Sequence, residues 1–364
     1  FQAAKPSAEL VNRMTLKTRF ENISLLPASI TLATLDRVMG NREGMGIQGE
    51  LVASQSFDFP SVYVQKNKLS QAKGEGFDRQ GAEVRQQILL QAKEVCLDLI
   101  LLNQQKSLLD TRRQNAEQLS ALYATRLQNG DANVLEVNKI DLELLNAKNE
   151  ARMNEAARVA KLHELAMLNG GIAINFTDTV YLPVEAPQSF VDLKQEAVPA
   201  DRQLLSLQSE KAAALRQLSV SKSLNLPGFE LGYRLNTAAG GERFNGFLVG
   251  ISIPLFSNRN NVKQAKAQSL YTDLQLESTT TTVENELLRL YNQSLALKTS
   301  IDEYSDVLKS QNNLALLNKA IQAGQISMIE YFVDVTTLYQ SMQNYMQLQN
   351  EYQKVMAQLY KYKL

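Results

Sequence analysis

The chain has 364 residues, and its 38 Lys+Arg balance its 38 Asp+Glu, so the formal net charge is zero. A neutral chain has no electrostatic footprint for nucleic acid, which excludes that partner class. A single cysteine, Cys96, and a single histidine, His163, exclude an intrachain disulfide, a Cys/His zinc cluster and any site needing two histidines.

Neither residue sits in a catalytic context. His163 lies in "RVAKLHELAML", a helical pattern, and Cys96 in "EVCLDLI", where a small apolar core residue fits. No nucleophile–base pair, phosphate loop or ligand cluster stands out, so no enzyme, cofactor or metal site is expected. No run of about 18 apolar residues marks a transmembrane helix. The strands of a β-barrel give a weaker signal and are not excluded. No signal peptide or lipid-accepting cysteine is visible at the start, and the chain begins mid-pattern at Phe1, as a mature or trimmed form would.

In chain order, "SAELVNRMTLKTRFENISL" reads as a helix and "LLPASITLATL" carries a strand at about 28–36. A glycine- and asparagine-rich loop, Asp36–Gly49, leads to a second strand at about 49–59. From Ser61 to Gln128 there is no proline, and Ile88, Ala92, Val95, Leu99, Leu102, Leu109, Ala116 and Tyr123 recur at coiled-coil spacing. A helix of this length needs a partner along it. "LQNGDANVLE" (Leu127–Glu136) then closes one helix and opens the next: Gly130 fits the left-handed position after a helix end, and Asn133 with Glu136 forms a capping box. A returning helix runs to Gly171. The segment 171–199 is rich in proline and is read as a connector with a short strand or two and a short helix.

The plan then repeats. A helix from about 201 precedes a strand at about 228–236, where Phe229, Leu231, Tyr233 and Leu235 alternate with polar residues. A loop and a strand at about 246–256 follow, with Phe247, Val249, Ile251, Ile253 and Leu255 on one face. A second long seam passes through Val283, Leu287, Leu290, Leu297, Ile301, Tyr304 and Leu308. It ends in "IQAGQISMIE" (Ile321–Glu330), which repeats the earlier decamer with Gly324, Ser327 and Glu330 in the key places. The chain therefore divides into a first repeat over 1–170, a connector over 171–199 and a second repeat over 200–364, with helical turns near 130–133 and 324–327.

The stretch "FLVGISIPLFSNRNNVKQAKAQ" and the paired Gly-x-x-(Asn/Ser)-x-x-Glu turns, in this duplicated order, resemble the TolC-like outer membrane efflux proteins. Four strands per chain cannot close a barrel, and open edges cannot sit in lipid, so oligomers are required on physical grounds. The resemblance implies a mainly α fold with a small β part. Long coiled-coil hairpins of a homotrimer would form an α-barrel in the periplasm, below a shared 12-stranded barrel in the outer membrane. It implies an exit duct of a tripartite system, with a periplasmic adaptor (membrane fusion) protein and an inner-membrane pump of the RND type as partners. In that reading the adaptor docks on the turns at Gln128, Gly130, Asn133, Gln322, Gly324 and Ser327. Acidic residues just beyond, Glu136, Glu330 and Asp334, would line a pore constriction; Val333 stands at the family's next acidic position. The alternative is a soluble coiled-coil scaffold without transport activity, which would not need paired apolar-faced strands.

Overall fold

The structure is a computed structural model that describes residues 49–185, 189–237, 242–255, 258–309 and 313–364. The helix and the strand expected before residue 48 lie outside the described residues. The described elements are β1 (Gly49–Phe57), α1 (Pro60–Gln128), α2 (Val134–Leu168), α3 (Phe190–Ala200), α4 (Arg202–Ser223), β2 (Gly228–Thr237), β3 (Arg243–Ser252), α5 (Arg259–Lys309), α6 (Asn313–Gln322) and α7 (Met328–Leu359). The fold is mainly α with a small β part. The chain forms two compact units, one of Val84–Asp201 with Thr282–Leu364, the other of Arg202–Thr281 with the described residues up to Glu83.

The sheet belongs to the second unit. Its order is β1-β2-β3, antiparallel throughout, with Phe57 opposite Phe229 and Phe229 opposite Ile251. Phe229, Leu231 and Tyr233 of β2 share a face with Phe247, Val249 and Ile251 of β3. That face is uncovered: Phe247 is 90% and Val249 76% exposed, and Ile253 and Leu255 just beyond are exposed as well. The opposite face carries Glu230, Gly232 and Arg234, flanked by Ser56, Ser54 and Val52 of β1 and by Gly250, Leu248 and Gly246 of β3.

Glycine lets this polar face close up. Directly paired residues normally hold their Cβ atoms about 4.5–5.5 Å apart. A Cβ added at Gly232 would lie 2.8 Å from Ser54 Cβ and 2.9 Å from the Ala53 carbonyl, and one at Gly250 would lie 3.3 Å from Glu230 Cβ. At these pairs the strands approach closely on the polar face, where glycine leaves room for its partner. β3 starts and ends earlier than the alternation suggested, at Arg243 and Ser252. Pro254 cannot donate to a ladder, so the apolar residues continue past the last paired position.

In the first unit α1 is the hub. Val95, Leu99, Leu109, Ala116 and Tyr123 of its seam are buried, while Ile88, Ala92 and Leu102 are half-buried. On one side α1 meets α2 through Arg112 on Glu143 at 2.7 Å and on Glu150 at 2.8 Å. On the other it meets α7, where Asn115 donates to the Tyr339 hydroxyl and Gln358 to Glu94. α7 in turn packs on α5 through Leu287, Leu290, Leu297, Tyr352, Val355, Met356 and Leu359. The lateral order is thus α2, α1, α7, then α5 with α6.

The connector corrects one expectation: residues 172–185 form no strand. Their carbonyls are taken by side chains instead, Asn103 donating to Asp178 O and Gln104 to Thr179 O. Ile174 and Phe176 pack on Val95, Leu99 and Leu165. Cys96 packs there too; burial first, and the Asp178 charge second, push its thiol up, away from nucleophilic use.

Asp98 joins three helices. Its carboxylate accepts from Lys354 and Asn350 of α7 and pairs with Lys161 of α2 at 3.3 Å. Burial pushes its carboxyl up, but the hydrogen bonds from Lys354, Asn350 and Lys161 and the Lys354 charge outweigh this and hold it below the ordinary carboxylate range. A carboxylate lowered in the folded state stabilises fully above its unfolded value, and that contribution drains away as pH falls through the folded one. Asp98→Asn should be less stable than the parent at neutral pH and should lose less on acidification below about pH 4, followed by circular dichroism; parallel curves would show that the junction contributes nothing.

For the sheet, Gly232→Val should cost about 1–3 kcal/mol, as overpacking does. Amide hydrogen exchange across β1 should accelerate, and unchanged protection would show that the close pairing of β1 with β2 does not depend on glycine there.

Candidate functional site

The two helical turns are built alike, down to single hydrogen bonds. In the first, Gly130 has φ +82°, its N–H donates to Leu127 O at 3.1 Å, and Asp131 N–H donates to Arg126 O at 2.8 Å. In the second, Gly324 has φ +70°, with Gly324 N–H to Ile321 O at 3.2 Å and Gln325 N–H to Ala320 O at 2.9 Å. Both are Schellman closures, which satisfy the last carbonyls of a helix and need a residue at positive φ. Glycine stands there because a Cβ would be strained in that conformation.

The next helix opens with a complete capping box in each case. Asn133 Oδ1 accepts from Glu136 N–H at 2.9 Å, and Glu136 Oε2 accepts from Asn133 N–H at 3.0 Å. Ser327 Oγ accepts from Glu330 N–H at 3.2 Å, and Glu330 Oε2 accepts from Ser327 N–H at 2.8 Å. The hydrogen bonds from the Ser327 backbone and then its hydroxyl hold the Glu330 carboxyl below the ordinary range. Glu136 and Glu330 are therefore both committed to their own helix starts. Asp334, one turn further, is exposed and lines a cleft of about 750 Å³ with Glu303, Tyr304, Leu316, Leu338 and Ser341.

The turns are held side by side. Arg126 lies over the Tyr123 ring at 5.1 Å and donates to Gln322 O at 3.2 Å. Beneath them Leu119, Tyr123, Ile140, Ile321, Met328, Tyr331, Val335 and Tyr339 form one buried cluster. Tyr331 donates to Asn318 at 2.7 Å, and Arg112 covers the Tyr339 ring at 5.3 Å. Gln128, Gly130, Asn133, Gln322, Gly324 and Ser327 all lie on the exposed surface of this tip.

Sequence reading passed over the apolar residues that accompany them. Leu135 is 72% and Ile329 63% exposed, at matching positions of the two decamers. The signal was present in the "LE" and "IE" that close the repeated stretch, where an apolar residue precedes each capping glutamate. Val134 and Val333 add to the same uncovered surface.

The profile of the outer membrane efflux protein family matches residues 193–362. The second half of the chain is an outer membrane efflux protein domain. No curated protein matches the sequence. Among solved structures, the chain is similar to CusC at 16% identity and TM-score 0.76, over 97% of this chain and 88% of that one. It is similar to VceC, an outer membrane protein of Vibrio cholerae, at 14% identity and TM-score 0.72, over 97% and 90%. The CmeC outer membrane channel of Campylobacter jejuni matches at 13% identity and TM-score 0.75, over 97% and 80%. At such identities the likeness establishes the fold, and it spans both halves of the chain. Members of this family are non-enzymatic transport proteins of the outer membrane. Among the described residues no helix is long and apolar enough to cross a membrane, and no group of His, Cys, Asp and Glu is placed to hold a metal.

The caps give a direct test of the two turns. Ser327→Ala leaves the Glu330 N–H without its acceptor and should cost about 1 kcal/mol. Hydrogen exchange in the first turn of α7 should speed up accordingly while α1 is unaffected; equal protection would mean the box is idle.

Proposed function

We propose that three copies of this chain assemble into an outer membrane exit duct of a tripartite efflux system. The observation that carries this reading is the sheet: an uncovered apolar face, a polar face opposite it, and no further described strand beyond β1 or β3. In lipid every backbone donor and acceptor must be paired within protein, so an open three-stranded patch is not a stable end state. With the strand expected at 28–36, each copy would supply four strands, and three copies would close a barrel of twelve.

The helices support the same symmetry. α2 and the α5/α6 pair stand at opposite ends of the lateral order, and both leave apolar residues open: Leu142, Leu145 and Met153 on α2, Val307 and Leu316 on α5 and α6. Two different, mutually complementary edges make a head-to-tail contact, and such contacts close into a ring when the rotation between copies closes. CmeC is an outer membrane channel and CusC forms a transmembrane channel, in agreement with this arrangement.

In this reading the exposed turns are the periplasmic tip. A periplasmic adaptor docks on the surface around Gln128, Gly130 and Asn133 and around Gln322, Gly324 and Ser327, and an inner-membrane pump of the RND type supplies the energy. With Glu136 and Glu330 engaged as caps, Asp334 is the acidic side chain best placed to line a constriction. A soluble scaffold has no use for an uncovered apolar sheet face, and this disfavours that alternative.

Electron microscopy of detergent-purified particles should show a hollow threefold tube; a monomer soluble without detergent would overturn the assignment. Gly324→Pro forces φ to about −65° and removes the N–H that closes the turn. It should abolish export in an efflux assay while trimers still form, and full efflux would dissociate the tip from transport.

A further inference from the structure

The two ends of the lateral order in the first unit carry opposite charges at one height. At the α2 end, Lys106, Arg113, Lys148 and Arg152 line a cleft of about 510 Å³ with Asp110 and Glu155. Three of these cations have partners: Lys106 reaches Glu155 at 3.2 Å, Arg113 reaches Glu117 at 3.4 Å, and Lys148 reaches Glu117 at 3.6 Å. Arg152 is left over. Its Nε donates to the Lys148 carbonyl at 3.2 Å, and among the described residues no carboxylate answers its charge. At the α5 end, Asp302, Glu303 and Asp306 are exposed. Lys298 takes Asp302 at 2.8 Å, and Glu303 lines the cleft it shares with Asp334. Asp306 is left over in its turn, with no cation against it among the described residues.

Both side chains stand on the outer side of their helix. α2 buries Ile140, Ala147 and Asn154, while Leu145 is exposed and Arg152 follows it by two turns on the same side. α5 buries Leu287, Leu290 and Leu297 against α7, while Leu288 and Leu295 are exposed and Asp306 follows Leu295 by about three turns. Their height is set within the chain. Gln104 and Ser107 of α1 line one cleft with Ser305 and Leu308 of α5, and the next turns of α1, through Asp110 and Arg113, line the basic cleft with Arg152.

We propose that Arg152 of each copy pairs with Asp306 of the next, an ionic latch at each joint of the ring that fixes the height at which the copies lock. This rests on the reading of the chain as one third of a closed ring. Rotation about an axis along the helices carries one copy onto the next without lifting it, so edges at one height within the chain meet across each joint. Leu145 and Leu295 supply apolar contact beside the latch, but apolar stripes alone do not choose between neighbouring registers. A slip of one turn, about 5.4 Å, separates the two charges and leaves both unanswered at the joint. Polar residues set register in this way along helical seams.

The test is dissociation of the detergent-purified full chain on dilution, followed by light scattering. At about 0.1 M salt, Arg152→Glu and Asp306→Arg each place like charges at every joint and should raise the concentration of half-dissociation at least about tenfold. The double variant restores opposite charges in exchanged places and should return to within about threefold of the parent. In about 1 M salt, where the Debye length is about 3 Å, the parent and the single variants should converge. Single variants that dissociate like the parent at low salt, or a double variant no better than the single ones, would overturn the inference and leave the duct assignment standing. A parent chain that stays monomeric at every concentration would overturn the duct assignment, and the inference with it.

Discussion

A β-sheet carries its hydrogen bonds between strands, so its outermost strands always have an unpaired side. In water those groups bind solvent; in hydrocarbon they have nothing to bind. This chain presents a sheet with one face of Phe, Val and Ile at high exposure and, among the described strands, none beyond β1 or β3. Water penalises such a face, and lipid penalises any edge left open. In the proposed duct, closure with further copies relieves both penalties.

Close approach of the strands is then a matter of glycine. Where paired side chains would be forced together one partner gives up its Cβ: Gly232 stands opposite Ser54 and Gly250 opposite Glu230.

The helical part faces a different constraint. Long helices gain little from propensity alone and depend on burying a seam. Here α1 buries its seam against α2 on one side and α7 on the other, with Asp98 and Arg112 as polar junctions. Arg112 is nearly enclosed and spends its donors on Glu143 and Glu150 while its plane rests on Tyr339, so the charge is paired and packed at once. Each turn is closed by its own glycine and its own cap, and the two are joined by Arg126 and by the apolar cluster they share.

Much of this was legible in residue order because it is local. Schellman glycines and capping boxes act within six or seven residues, so the two decamers announced helix end and helix start without any tertiary information. Strand alternation and heptad spacing likewise express which face of an element is apolar, and the seam residues Val95, Leu99 and Leu109 are indeed inside. What the order of residues could not contain was who covers each face. That the connector at 172–185 would surrender its carbonyls to Asn103 and Gln104 and not to a strand depends on a helix some 75 residues away. That β1 pairs with β2, that Arg126 bridges the two turns, and that Gly232 comes up against Ser54 are all facts of approach between distant segments. Sequence by itself determined the elements, their apolar sides and their ends; tertiary structure decided which sides are left open, because exposure is a property of neighbours and not of the residue that is exposed.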